Sequence, residues 1–106
     1  MDQKKSLVEK LRTFKKAASE DFPIRKMVFF GSRVSGKPRR YSDIDLLIVS
    51  PAFKGIGFRW RATKMYDYWT LRMPVDFLCY TPEEFRRLRS KSTIVKEAVE
   101  TGIEIN

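Results

Sequence analysis

The sequence predicts an α+β (α/β) fold, a small β-sheet flanked by helices, and two observations carry that expectation. Apolar residues recur at helical spacing in some segments and alternate with period two in others, and the two kinds of segment take turns along the chain. The second observation is the stretch Gly31–Val49, GSRVSGKPRRYSDIDLLIV, where a turn, a loop rich in Gly, Pro and Arg, and an acidic-to-apolar run follow one another. With 106 residues, the chain has the size of one domain, residues 1–106, built on one core and without a separate recognition module.

The elements follow in order. Leu7, Val8, Leu11, Phe14 and Ala18 mark the apolar stripe of a first amphipathic helix from about Gln3 to Glu20, and Asp21-Phe22-Pro23 ends it. Ile24 to Phe30 reads as a strand, and Gly31 permits a sharp turn after it. Ser32 to Val34 fits a short helical turn, and Asp43 to Val49 a second strand closed by Pro51. Phe58, Ala62, Met65, Tyr66, Trp69 and Met73 predict the buried face of a helix over roughly 58–72, with Trp60 and Tyr68 off that stripe. Val75 to Tyr80 is a third strand. Thr81-Pro82-Glu83-Glu84 has the form of a helix start, with a capping hydroxyl, Pro in the first turn and acids near the positive end of the dipole. A last helix over about Thr93–Glu100 buries Ile94, Val95, Ala98 and Val99, and Ile103-Glu104-Ile105 adds a short terminal strand. Together these predict a sheet covered mainly on one side.

Composition narrows the chemistry. The chain has no histidine, which excludes Ser-His-Asp and Cys-His catalysis, histidine-bound zinc and an imidazole base. Its one cysteine, Cys79, lies in an apolar run and fits a buried core thiol. Acid-base or metal chemistry must then use carboxylates. The net charge of +9 favours an anionic partner, such as a nucleotide, a nucleic acid or an acidic protein surface, although most of the basic residues fit solvated faces. No apolar run approaches the roughly 20 residues that span a bilayer, and the start, MDQKKSLVEK, lacks a secretory apolar core. The expected location is cytoplasmic, with no membrane partner.

Asp43 and Asp45 fall on the same face of their strand, and side-by-side like charges repel unless a counter-charge lies between them. A divalent cation such as Mg²⁺, which takes oxygen ligands and bridges carboxylates to phosphates, is the simplest one. Taken singly, each residue also has an ordinary role: Asp43 as strand start, Asp45 at a solvated end, Gly31-Ser32 as turn and cap. Asp76 stands in an otherwise apolar strand, where an unpartnered carboxylate is costly.

Gly31-Ser32, ten intervening residues and then Asp43-Ile44-Asp45 resembles the signature of the DNA polymerase beta-type nucleotidyltransferase superfamily, and the short chain resembles its minimal nucleotidyltransferase (MNT) branch. The resemblance extends over most of the chain. It implies a small mixed sheet with Asp76 as the third acid, on the strand beside the Asp-x-Asp strand. Asp43, Asp45 and Asp76 are then catalytic and metal-binding, holding two Mg²⁺ ions. Gly31, Ser32 and Arg33 contact the nucleotide phosphates, and Lys37, Arg39 and Arg40 are further candidates for neutralising charge. The implied reaction moves NMP, AMP from ATP above all, to an acceptor hydroxyl. Stand-alone members of the branch resemble antitoxins that place AMP on a tyrosine of a HEPN-domain toxin, which implies an oligomer with that partner. Two alternatives stay open: an antitoxin that neutralises by binding alone, and nucleotidyl transfer to RNA or a small molecule, in which nucleic acid is possible but not favoured.

Overall fold

A computed structural model describes residues 3–35 and 43–106. The loop candidates Lys37, Arg39 and Arg40 lie outside the described residues. The elements are α1 (Gln3–Ala18), β1 (Lys26–Phe30), α2 (Ser32–Ser35), β2 (Ile44–Val49), a 3₁₀ turn (Pro51–Phe53), α3 (Phe58–Tyr66), β3 (Val75–Tyr80), α4 (Pro82–Leu88), α5 (Thr93–Thr101) and β4 (Ile103–Glu104). The strands form a mixed sheet in the order β3-β2-β1-β4. β1 runs antiparallel to both β2 and β4, whereas β2 and β3 are parallel. Among the described residues no helix is long and apolar enough to cross a membrane.

Period-two alternation sorts the strand side chains onto two faces. Met27, Phe29, Ile44, Leu46, Ile48, Phe77 and Cys79 point to one core, closed by Leu11, Phe14 and Ala18 of α1, Phe53 and Met65. Val28, Phe30, Leu47, Val49 and Tyr80 point to the other, closed by Phe85 of α4 and Val95 and Ala98 of α5. The sheet is therefore covered on both faces, not mainly on one. The reason is the placement of α4 and α5 opposite α1, which hydrophobic periodicity within single helices does not specify. Gly102 lets α5 close on the sheet: a Cβ there would lie 2.4 Å from Val28 Cγ1 and 2.5 Å from the Ala98 carbonyl oxygen.

Other expectations shift in detail. β1 begins at Lys26 rather than Ile24, and α5 continues to Thr101. The helix predicted over 58–72 ends at Tyr66. Beyond it the backbone makes turn hydrogen bonds from Asp67, Tyr68 and Trp69 to carbonyls three residues back. Trp69 and Met73 therefore reach the first core from irregular backbone. Phe58 and Tyr66, expected on the buried stripe, are half exposed, as is Ile94 of α5. Tyr68, expected off the stripe, packs against the first core, and its hydroxyl donates to Asp21.

The largest departure is Arg61, expected on a solvated face but only 5% exposed. Its guanidinium donates to the carbonyls of Ile56, at 2.8 Å, and Cys79, at 3.1 Å, and forms a two-pronged pair with Glu84. Glu84 also accepts from the Thr81 backbone N–H while the Thr81 hydroxyl accepts from Glu84 N–H, a complete capping box. One ion pair thus ties α3, the end of β3 and the start of α4 together. The Arg61 guanidinium beside it holds the Glu84 carboxyl below its usual range.

Removing one partner of a buried pair strands the other in low dielectric. R61A is expected to lower unfolding free energy by about 3 kcal/mol, measured by urea denaturation. Because the folded-state pKa of Glu84 is depressed, the pair stabilises the fold above the ordinary carboxylate range and loses that contribution as pH falls through the depressed value. The gap between R61A and the parent protein should narrow accordingly in acid.

Candidate active site

β1 delivers the chain to the site and Gly31 turns it. Phe30 pairs with Asp45 across the antiparallel ladder, and Gly31 follows with φ +93°, in the left-handed region that favours glycine. A Cβ on Gly31 would lie 2.1 Å from Asp45 Oδ2, so only a glycine backbone can stand against that carboxylate. Ser32 opens α2 directly after the turn; its side chain lies outside what is described. Arg33, on α2, is half-buried and engaged with its surroundings.

The acids come from the starts of the two parallel strands. Asp43 immediately precedes β2, and the Ile44 N–H donates to the Pro74 carbonyl at 3.0 Å, tying the start of β2 to the residue before β3. From that tie the register runs Ile44 to Val75 and Asp45 to Asp76, so these two carboxylates are direct cross-strand neighbours on one face. Asp43, immediately before β2, lies near enough to both for its charge to act on them. The three acids are thereby brought together, beside Gly31.

Like charges in a partly desolvated site favour neutral carboxyls. Burial first, then the charges of Asp76, Asp43 and Glu97, push Asp45 up to about 6. Asp76 is raised by burial and then by Asp43. Among the described residues, no three acidic, histidine or cysteine side chains close into a ready-made metal cage. The donors are nonetheless all hard oxygens, and Mg²⁺ characteristically takes one or two carboxylates and completes its shell with water and substrate phosphate. The residues fit such an ion.

Two neighbours of the acids were not legible in the sequence. Tyr66 is half exposed, donates from its hydroxyl to the Val75 carbonyl at 2.7 Å, and sets its ring edge-on to Phe77 at 5.0 Å. Its phenol is raised by burial and then by Asp76 and Asp43, which puts it beside the acids. Its position on the helical stripe concealed this, because the helix ends there and the ring lies at the sheet edge. Glu97 projects from the exposed side of α5 towards the same field, and only the packing of α5 on β1 reveals it.

A family model described as a nucleotidyltransferase domain matches residues 11–101. The chain belongs to that family. It is a nucleotidyltransferase of the minimal kind, 36% identical over 77 residues to the probable protein adenylyltransferase MntA of Haemophilus influenzae, a match spanning 71% of this chain and 68% of that protein. Among solved structures, a candidate nucleotidyltransferase from Sulfolobus solfataricus superposes with a TM-score of 0.59 at 25% identity, covering 76% of this chain and 71% of that one.

Two outcomes are expected. G31A forces a Cβ into the Asp45 carboxylate and should reduce nucleotidyl transfer about 100-fold while circular dichroism shows the fold retained. For Asp45 the folded-state pKa lies above its ordinary value of 3.8, so the metal-free fold is favoured while the group is protonated and loses that contribution as pH rises through about 6. D45N should therefore melt a few degrees higher than the parent at pH 8 in EDTA, with the difference vanishing near pH 4.

Proposed function

We propose that this chain is a protein adenylyltransferase that moves AMP from ATP to a tyrosine hydroxyl of a partner protein, a HEPN-domain toxin, and acts as its antitoxin. The carrying observation is the convergence of Asp43, Asp45 and Asp76 from the starts of two parallel strands beside a glycine backbone. The likeness to a probable protein adenylyltransferase supports the choice of AMP and of a protein acceptor. The expected cytoplasmic location suits such a partner.

Asp43 and Asp45 would hold two Mg²⁺ ions, with Asp76 completing one site. Such ions, when bound, neutralise the phosphates and stabilise the attacking and leaving oxygens. The protein's own groups do the rest. Gly31 gives way to the Asp45 carboxylate, and Ser32 and Arg33, directly after it in the chain, would meet the triphosphate oxygens. Asp76, the most exposed of the three acids, takes the proton of the acceptor hydroxyl as its oxygen bonds to the α-phosphorus. The bond from that phosphorus to the bridging oxygen breaks, and pyrophosphate leaves.

Incubation with labelled ATP, Mg²⁺ and the product of the neighbouring gene, followed by mass spectrometry of both proteins, tests the proposal. AMP should appear on a partner tyrosine, and D43N/D45N should abolish it. Neutralisation of the partner by D43N/D45N at full strength, with no label transferred by the parent, would instead establish inhibition by contact alone.

A further inference from the structure

At the other end of the same parallel pair, β2 runs into Ser50-Pro51 and β3 into Thr81-Pro82, and a cleft of about 620 Å³ opens between them. Four strand residues, Leu46–Val49 and Phe77–Tyr80, separate Ser50 and Thr81 from Asp45 and Asp76, about 17 Å at the rise of a β-strand. The volume is that of a small-molecule site. Its floor includes Arg61, whose guanidinium is already satisfied by Ile56, Cys79 and Glu84 and so contributes shape rather than a free charge.

The rim is different. Lys54, Arg86 and Arg87 all line the cleft, all are exposed, and none takes part in an ion pair among the described residues. Of the two acids there, Glu84 is committed to Arg61, leaving Glu83 against three cations. Three cations around one concavity repel each other, and an anion between them relieves that repulsion. Beside the cleft, the Phe58 ring is 52% exposed and lies 5.9 Å from the Arg61 guanidinium. An exposed aromatic ring at the edge of a cationic cleft suits a planar base attached to phosphate better than an acidic peptide.

We propose that this cleft is a second, metal-independent binding site for a nucleoside phosphate, with Lys54, Arg86 and Arg87 on the phosphate and Phe58 against the base. The same chemistry is offered by a free nucleotide and by the end of a single-stranded RNA. The site goes beyond the transfer reaction and does not depend on it.

The test is binding in EDTA, which removes metal-assisted phosphate binding at the acids. Fluorescent AMP and a 5′-phosphorylated ribo-oligonucleotide serve as probes of the full chain and of K54E/R86E/R87E. These side chains are exposed and make no ion pair among the described residues, so the variant should keep its far-ultraviolet spectrum and melting temperature. Saturable binding of either probe, weakened at least about tenfold by the three reversals and about fivefold by F58A, supports the site. AMP binding as tight as that of the oligonucleotide identifies a free nucleotide as the ligand, and oligonucleotide binding alone identifies RNA. No saturable binding of either probe in EDTA, or binding unchanged in K54E/R86E/R87E, overturns it, as does binding of an acidic peptide in preference to both.

Discussion

Carboxylates that would repel in open water are held together here by the hydrogen-bonded register of two parallel strands. The Ile44 N–H to Pro74 carbonyl bond fixes where β2 starts against β3, and one residue later Asp45 and Asp76 have no choice but to be neighbours. A slip of one residue would turn every side chain of β2 to the opposite face. Leu46 and Ile48 on one side, Leu47 and Val49 on the other, make that slip costly because both faces are buried. Core packing therefore sets the spacing of the acids, and their mutual repulsion is what a cation and a polyphosphate would relieve.

The opposite ends of the strands are secured by different chemistry. There the Ser50 N–H donates to the Tyr80 carbonyl, and the Arg61–Glu84 pair gathers the loop before α3, the end of β3 and the cap of α4. A buried ion pair is weak evidence for added stability, since desolvation offsets most of its attraction. Its value is geometric, because a planar guanidinium with fixed donors holds three backbone segments in one arrangement. One end of the parallel pair is acidic, and Lys54, Arg86 and Arg87 line the cleft at the other, without an ion pair among the described residues.

Much of this was legible residue by residue. β3 spans Val75–Tyr80 as the alternation predicted, and Thr81, Pro82 and Glu84 form the cap that their order announced, because both signals are local. α3 is shorter than its apolar spacing predicts: Trp69 and Met73 lie at helical spacing from Met65 yet reach the core from turns, with Trp69 Nε1 donating to the Met73 carbonyl. The burial of Arg61 has no local signal, because a charged residue among basic neighbours carries no sign of a distant Glu84. Tyr66 and Glu97 escaped notice because their proximity to the acids is created by helix packing.

The sequence by itself determined the strands, the caps, the absence of imidazole chemistry and the Gly-Ser and Asp-x-Asp pairing, all consequences of residue type and short-range spacing. The tertiary structure alone decided that helices cover both faces of the sheet, that Asp45 and Asp76 are register partners in a parallel ladder, and that Arg61 is buried. Those outcomes rest on contacts between residues far apart in the chain, whose formation depends on how whole elements share a common core rather than on any pattern within one of them.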